Sequence, residues 1–349
     1  MKAALIGTGQ IAQQHLACLH SLPEVTLAGV CDLSRSLAEA AAERFGITAW
    51  FTDHRAMLDE IGPDVVHITT PPQSHFSLAM DALAARAHVI VEKPITTAHD
   101  QVAVLLRSAS ERERILIEDY NYLYNPPIQK ILELVRSGEL GEVVDVEISI
   151  CVNILAEGSP FVDRGVPHPC VSLPGGAIAD FLSHLASLAH GFVGAHRAVR
   201  THWSKRTAGS PLPYDEFRAI VAAERGTAFL SFSAHAQPEM LWVRVNGTRM
   251  RAAADLYDGN LVINRLDEGP RPIARLRDRF REARDVRRAA RRNLLGKFAA
   301  VPSTYAGLWN LLARTYRAVE SGTEPPISMR QIAEVNDLVT ALTAEEYRF

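Results

Sequence analysis

The first 120 residues alternate short apolar runs with segments of helical period, and that alternation narrows the choice of fold more than any other feature of the chain. AALIG, VTLAGVCD, DVVHIT, HVIVE and ILIEDY have the β-branched, apolar character of strands. Between them IAQQHLACLHSL, SRSLAEAAAERFG, HFSLAMDALAARA and TAHDQVAVLLRSASERER repeat their apolar residues at helical spacing. A strand, a helix and a further strand in succession return the chain through a right-handed crossover, which makes neighbouring strands parallel. The expected fold of this part is therefore α/β, a doubly wound parallel sheet covered by helices on both faces.

The pattern changes after a helix near 126–137. EVVDVEISICV, RAVRTHWSK, EFRAIVAAE, GTAFLSFSAHA, LWVRVNGTRM and LVINRL follow as β runs, joined by turn sequences such as Glu224-Arg225-Gly226 and Asn246-Gly247. These imply an α+β domain with a largely antiparallel open sheet, interrupted by a helix over 174–191. Two more helices close the chain: one over about 303–321, broken by SGTEPP, and one running to about 345, with Ser328 and Gln331 spaced as a capping box. At 349 residues the chain is long for a single core. The expected domains are 1–121 and 122–349, with the helices of about 303–345 packing back toward the first.

Apolar residues make up 47% and charged residues 22%, the composition of an ordinary globular protein. No secretory signal is read at the start, since after MKAALIG the apolar run stops at glycine and Gln10. No stretch is as long and apolar as a membrane span, and membrane contact is not expected. The four cysteines, Cys18, Cys31, Cys151 and Cys170, show no paired spacing, so reduced thiols in the cytoplasm are expected. The thirteen histidines form no H-E-x-x-H or similar ligand spacing, and no metal is expected.

The chemistry begins at G-T-G-Q-I-A, residues 7–12, between the first strand and the first helix. Gly7 suits a tight turn, Gly9 lets a pyrophosphate approach the backbone, Ala12 lets helix pack on strand, and the helix N-terminus offers N–H groups to phosphate. Thr8, Gln10 and Ile11 belong to the same loop. Asp32 ends the second strand, where a carboxylate accepts hydrogen bonds from ribose hydroxyls. This is the fingerprint of a Rossmann domain binding NAD; Asp32 disfavours the extra phosphate of NADP, although Arg35 nearby offsets part of that repulsion. Farther on, TTPPQSH places Thr70, Pro71 and His75 on a rigid turn, and the strand VIV runs directly into Glu92, Lys93 and Pro94. Polar groups at the carboxyl end of a buried parallel strand lie where open α/β sheets bind ligands.

Together G-T-G-Q-I-A, Cys31-Asp32, T-P-P-x-x-H at 70–75 and E-K-P at 92–94 resemble the Gfo/Idh/MocA family of NAD(P)-dependent oxidoreductases, named for glucose-fructose oxidoreductase and inositol dehydrogenase. In the second half PGGAIADFLSHLASL is similar to the family's G-G-x-x-x-D-x-x-x-H helix, and TYAGLWNLLARTYRAVESGTEPPIS resembles its C-terminal pattern. The resemblance implies a catalytic set of Lys93, Asp180 and His184 meeting at an interdomain cleft. Asp180 and His184 are four apart and share one helix face. Histidine titrates near working pH and suits proton removal from an alcohol, with Lys93 orienting the hydroxyl; the family pattern also allows Lys93 to move the proton. The implied reaction is hydride transfer between NAD and a secondary alcohol of a sugar, cyclitol or nucleotide-linked sugar. Its alternatives are a redox-neutral enzyme with tightly held NAD and a non-catalytic NAD-binding regulator. A homodimer or homotetramer through the open sheet face is also implied.

One departure is visible. Many relatives carry an arginine before the proline after the sixth strand, whereas DYNYLYNPP has Leu123 there, leaving Tyr120, Asn121, Tyr122 and Tyr124 to line the cleft. The other feature outside the family pattern is residues 271–297, with ten arginines, one lysine and three acids: a net +8 against −11 for the rest. Ile273, Leu276, Phe280, Ala283, Val286, Ala290 and Leu294 recur at helical steps, so 273–295 reads as an amphipathic helix with an arginine-covered outer face. Solvated surface helix, phosphate site, subunit contact and anionic membrane contact all remain open readings of it. Nucleic acid is not expected, because no basic-aromatic platform accompanies the charge.

Overall fold

The structure is a computed structural model, and it describes residues 1–163, 168–265, 271–298 and 305–345. Two compact units emerge, Met1–Tyr120 with Leu308–Asn336, and Asn121–Gly307 with Asp337–Phe349.

The first unit runs β1 (Lys2–Ile6), α1 (Gln10–Ser21), β2 (Thr26–Cys31), α2 (Arg35–Phe45), β3 (Trp50–Phe51), α3 (His54–Ile61), β4 (Val65–Ile68), α4 (His75–Ala84), β5 (His88–Val91), α5 (His99–Glu111) and β6 (Leu116–Glu118). Its six strands are ordered β3-β2-β1-β4-β5-β6 and every pairing is parallel. The α/β expectation holds. Strand order reverses between β1 and β4, which creates the crevice where doubly wound sheets take their ligands. β1, β4 and β5 are buried and apolar except at Lys2 and His88, which start β1 and β5, and at His67, a buried polar side chain inside a central strand. The sequence reading omitted β3 and α3: two residues of strand and an eight-residue helix are too short for a clear period.

The second unit contains α6 (Pro126–Arg136), β7 (Val143–Cys151), α7 (Ala179–Val193), β8 (His196–Ser204), β9 (Glu216–Ala223), β10 (Gly226–Ser233), β11 (Met240–Gly247), β12 (Met250–Asp255), β13 (Asn260–Arg265) and α8 (Arg271–Phe298). The sheet order is β13-β12-β11-β7-β10-β9-β8, antiparallel except where β7 meets β10. β7 thus enters the middle of the sheet, not its edge. Along β9 and β10 exposure alternates, and α7 covers the buried side against β7 and β10. Glu224-Arg225 forms the two-residue β9–β10 turn as expected. The next hairpin turns later than Asn246-Gly247, since Asn246 still pairs with Arg251.

Two helix boundaries and the orientation of one helix face are set against the sequence reading. α7 starts at Ala179 and not at 174, because Gly175 and Gly176 adopt φ +92° and +64° and lead into a short 3₁₀ turn. A Cβ on Gly175 would lie 2.7 Å from the Trp203 ring, and one on Gly176 2.9 Å from Pro213. The last two helices are α9 (Ala306–Ser321) and α10 (Met329–Thr343); residues 303 and 304, the expected start of the first, lie outside the described residues. Ser328 Oγ accepts the Gln331 N–H at 3.1 Å, which caps α10. The helix face is that of α8. Its apolar stripe does not face inward: Ile273, Leu276, Phe280 and Leu294 are each more than half exposed, while Ala289 is buried and Glu282 and Asp285 are half-buried on the side packed near β13. Periodicity places residues on one face without saying which way that face points.

Candidate functional site

The loop after β1 assigns its two glycines different work. Gly7 sits at φ +90°, and a Cβ there would lie 2.6 Å from Thr70 Cγ2 and 2.8 Å from Thr70 N. Only glycine satisfies both the backbone angle and the approach of the β4 loop. Gly9 caps α1 at φ −65°, and a Cβ there meets nothing within 4 Å. It therefore leaves open room over a helix N-terminus. Gln10 and Ile11 start a helix with no side-chain cap and no acid in its first turn, so its first N–H groups face outward as donors, while Ala12 is fully buried against the sheet. Glycine cradle, uncapped N-terminus and small third residue fit a dinucleotide pyrophosphate.

Asp32 binds the same loop. Its Oδ2 accepts Thr8 N at 2.8 Å and Thr8 Oγ1 at 3.0 Å, and its Oδ1 accepts Ser34 N at 2.9 Å. Arg35 lies over the Trp50 ring at 5.1 Å and 3.9 Å from Glu39, on an exposed helix surface. Across the switch point Thr69 Oγ1 donates to Gly7 O at 2.6 Å, tying the two loops. Pro71 is exposed beside them. His75 is fully buried, with Nδ1 at 2.8 Å from Pro94 O and Nε2 at 2.8 Å from Thr70 O. It clamps the TTPP turn to the segment following Lys93. Burial lowers its pKa, opposed by the two carbonyls and Glu92.

Glu92 is buried and Lys93, next to it, is half-buried. Glu92 ends a polar chain that the sequence did not reveal. Tyr316 Oη lies 2.9 Å from His67 Nε2, His67 Nδ1 lies 2.9 Å from His15 Nδ1, and His15 Nε2 lies 3.1 Å from Glu92 Oε1, with Asp119 Oδ2 at 3.7 Å. With the Tyr316 hydroxyl donating to His67 and His67 to His15, each link from Tyr316 to Glu92 can pair one donor with one acceptor. Burial keeps His67 neutral, holding its pKa well below the usual value with His15 adding to the effect. Burial alone would raise the Glu92 pKa, but His15, Lys93 and Asp119 together bring it below the ordinary carboxylate range. Glu118, also buried, is pushed up to about 7 by desolvation, which bonds from Tyr120, Asn336 and Ile95 N only partly offset.

In the second unit Asp180 occupies the first turn of α7 and His184 the next turn on the same face. Cys170 Sγ donates to Asp180 Oδ1 at 3.1 Å. His184 is buried, and the half-buried Tyr122 ring stands 4.2 Å from it, centroid to centroid. Tyr257 is hydrogen-bonded in turn to Tyr122; burial first, then that neighbour, raises its pKa. Asn121 has its Oδ1 buried with no hydrogen-bond partner among the described residues. Tyr120 and Tyr124 do not line a cleft: both are core residues, as is Leu123, which packs against Gly191 of α7. His168, Cys170 and Asp180 present one ligand atom each within 4.8 Å of one another, and so do His15, Glu92 and Asp119. His15, Glu92 and Asp119 come from separate chain segments, which spacing along the sequence cannot show.

Comparison with known proteins bears on these residues. Residues 1–120 match the model of the oxidoreductase family with an NAD-binding Rossmann fold, and residues 128–253 match the Gfo/Idh/MocA C-terminal domain. The two models together span more than two thirds of the chain. The chain belongs to the Gfo/Idh/MocA family. Among relatives within it, D-glucoside 3-dehydrogenase of Escherichia coli (strain K12) is 32% identical over 144 residues, 41% of each chain. The dTDP-3,4-didehydro-2,6-dideoxy-alpha-D-glucose 3-reductase of Streptomyces violaceoruber is 28% identical over 221 residues, 63% of this chain and 60% of that one. The matches thus span about two to three fifths of these relatives' lengths. An oxidoreductase from Agrobacterium radiobacter, solved with NAD⁺, L-tartaric acid and magnesium, shares the fold with TM-score 0.78 and 18% identity, covering 99% of this chain and 96% of that one.

Within a Gfo/Idh/MocA frame the residues missed by sequence reasoning are His15, His67, Asp119 and Tyr316. Only His67 left a trace, as a polar residue in an otherwise apolar strand.

Proposed function

We propose that this chain is an NAD-dependent oxidoreductase moving a hydride between the cofactor and a secondary alcohol of a sugar, cyclitol or nucleotide-linked sugar. The observation that carries the reading is the open cradle at Gly9 above the uncapped start of α1, within a chain of this family. Gly7, Thr8, Gly9, Gln10, Ile11 and Ala12 would hold the pyrophosphate. Asp32 would take the ribose hydroxyls and favour NAD over NADP; Thr70, Pro71 and Asn121 would border the nicotinamide, with His75 and Glu92 fixing the turns around Lys93. Bound there, nicotinamide supplies the hydride acceptor that converts CH–OH to C=O.

In this reading His184 takes the hydroxyl proton at a ring nitrogen, with the Tyr122 ring packed against it at 4.2 Å and a tilt of 40°. Asp180, one turn away, favours the resulting imidazolium and binds substrate. Lys93 donates to the hydroxyl oxygen and stabilises negative charge developing on it. The names of the relatives support the substrate class, since one acts on a D-glucoside and another on a dTDP-linked deoxysugar. The four free, buried cysteines support a reducing compartment, the cytoplasm. On the sheet face away from α7, Ile220 and Phe229 are paired across β9–β10 and 48% and 43% exposed, which supports a homo-oligomer formed there.

The test is NADH appearance on a panel of glycosides, cyclitols and nucleotide sugars with wild type and Lys93→Met. The expected loss is about 10²–10⁴-fold in turnover. Unchanged turnover by the variant would refute the assignment, and product formed without net NADH would replace it with the redox-neutral reaction.

A further inference from the structure

The basic helix α8 faces outward with the wrong chemistry for a solvated helix. On a helix turning about 100° per residue, Glu282, Asp285 and Ala289 fall within one narrow arc. That arc is the less exposed one: Ala289 is buried and the two acids are half-buried. The opposite pole carries Ile273, Leu276, Phe280 and Leu294, exposed by 56%, 58%, 69% and 58%. Interleaved with them are Arg284, Arg287 and Arg291, all exposed. The helix is 28 residues long, about 42 Å. No described helix is long and apolar enough to cross a membrane. The outer pole instead joins large apolar side chains to guanidinium groups; Glu282 and Asp285 lie on the other arc, with Asp285 reached by Arg284 at 3.1 Å.

We infer that α8 is a membrane-surface helix that lies in the plane of an anionic lipid bilayer, its four apolar side chains below the headgroups and its arginines at phosphate level. Of the readings the sequence leaves open for this helix, this selects anionic membrane contact, against the general expectation from the rest of the chain. Guanidinium groups suit phosphate in any setting, but Ile273, Leu276, Phe280 and Leu294 require an apolar phase beside it, which a soluble phosphate lacks. A second copy of the helix is a poor occupant. Two-fold pairing of this pole would set Arg287 and Arg291 against the same residues of the other copy, while Asp285 is engaged by Arg284 of its own helix. At a bilayer the arginine stems lie along the apolar layer while their heads reach the phosphates. The inference does not depend on the proposed reaction.

The experiment is sedimentation of the full chain with phosphatidylcholine vesicles, with and without about one third phosphatidylglycerol. Wild type is expected in the pellet only with the anionic vesicles and to be released at about 1 M salt. Arg287→Gln with Arg291→Gln should weaken partitioning by roughly 30-fold, at about fivefold per basic residue near such a surface. Leu276→Ser with Phe280→Ser should weaken it at least about tenfold without changing charge. Unchanged thermal unfolding of both double variants shows that the fold is intact. Equal binding to neutral vesicles, no binding at all, or wild-type binding by the variants would overturn the inference. So would loss of self-association by the variants in light scattering without any vesicle binding, which would give the face to a second copy.

Discussion

Replacing each glycine of the first loop separates folding from cofactor binding. In Gly7→Ala the new methyl would sit 2.6 Å from Thr70 Cγ2 and 2.8 Å from Thr70 N, at a backbone φ of +90°. The left-handed conformation costs about 1–2 kcal/mol for an L residue, and overpacking adds about 1–3 kcal/mol. A loss of about 2–5 kcal/mol corresponds to roughly 5–15 °C in melting temperature. Gly9→Ala meets no atom within 4 Å and keeps φ −65°, so its melting temperature without ligand should stay within about 2 °C of wild type. Its methyl nonetheless fills the space assigned to pyrophosphate. The assay is thermal unfolding with and without NAD, backed by titration calorimetry. Saturating NAD at about 100 times its Kd stabilises wild type by about 2.7 kcal/mol, and a tenfold weaker site would keep about 1.4 kcal/mol of that at the same concentration. If Gly9→Ala bound NAD as wild type does, the cradle would not be the phosphate site. If Gly7→Ala melted unchanged, the close approach of the two loops would be wrong.

Three other outcomes follow from the same geometry. Burial lifts the Glu118 pKa to about 7 from the ordinary glutamate value of 4.5, so the native state holds the proton more tightly. Stability should fall as pH rises from about 4.5 to 7 and level off above, by an order of 3 kcal/mol, and denaturant titrations of Glu118→Gln should lose that slope. Restoring the family's arginine with Leu123→Arg would press a charge against Gly191 in the core; a drop of several kcal/mol in a urea titration is expected, and near-wild-type stability would contradict the packing. Tyr122→Leu removes the ring 4.2 Å from His184 and should lower kcat about tenfold or more with little change in KM, read in steady-state kinetics on the identified substrate.

Much of the first unit was legible because parallel strands buried on both faces are nearly pure apolar runs, and the glycine loop is a local motif. Asp180 and His184 were legible as a pair since four residues on a helix fix a shared face. The histidine relay was not, because His15, His67 and Tyr316 meet only through tertiary packing, across 249 residues between the last two. Tyr122 could not be told from Tyr120 and Tyr124 in DYNYLYNPP: no regular period orients a 3₁₀ turn, and only packing sends Tyr124 inward and Tyr122 to His184. α8 shows the same limit in another form, with a correct period and an inverted face.

The most direct measurement is a crystal structure of the chain with NAD and a secondary-alcohol ligand. The account predicts the Lys93 ammonium and a His184 ring nitrogen within hydrogen-bonding reach, about 3 Å, of the ligand hydroxyl, with its carbon about 3–3.5 Å from nicotinamide C4. A nicotinamide bound elsewhere, or Lys93 and His184 turned away from that hydroxyl, would contradict it.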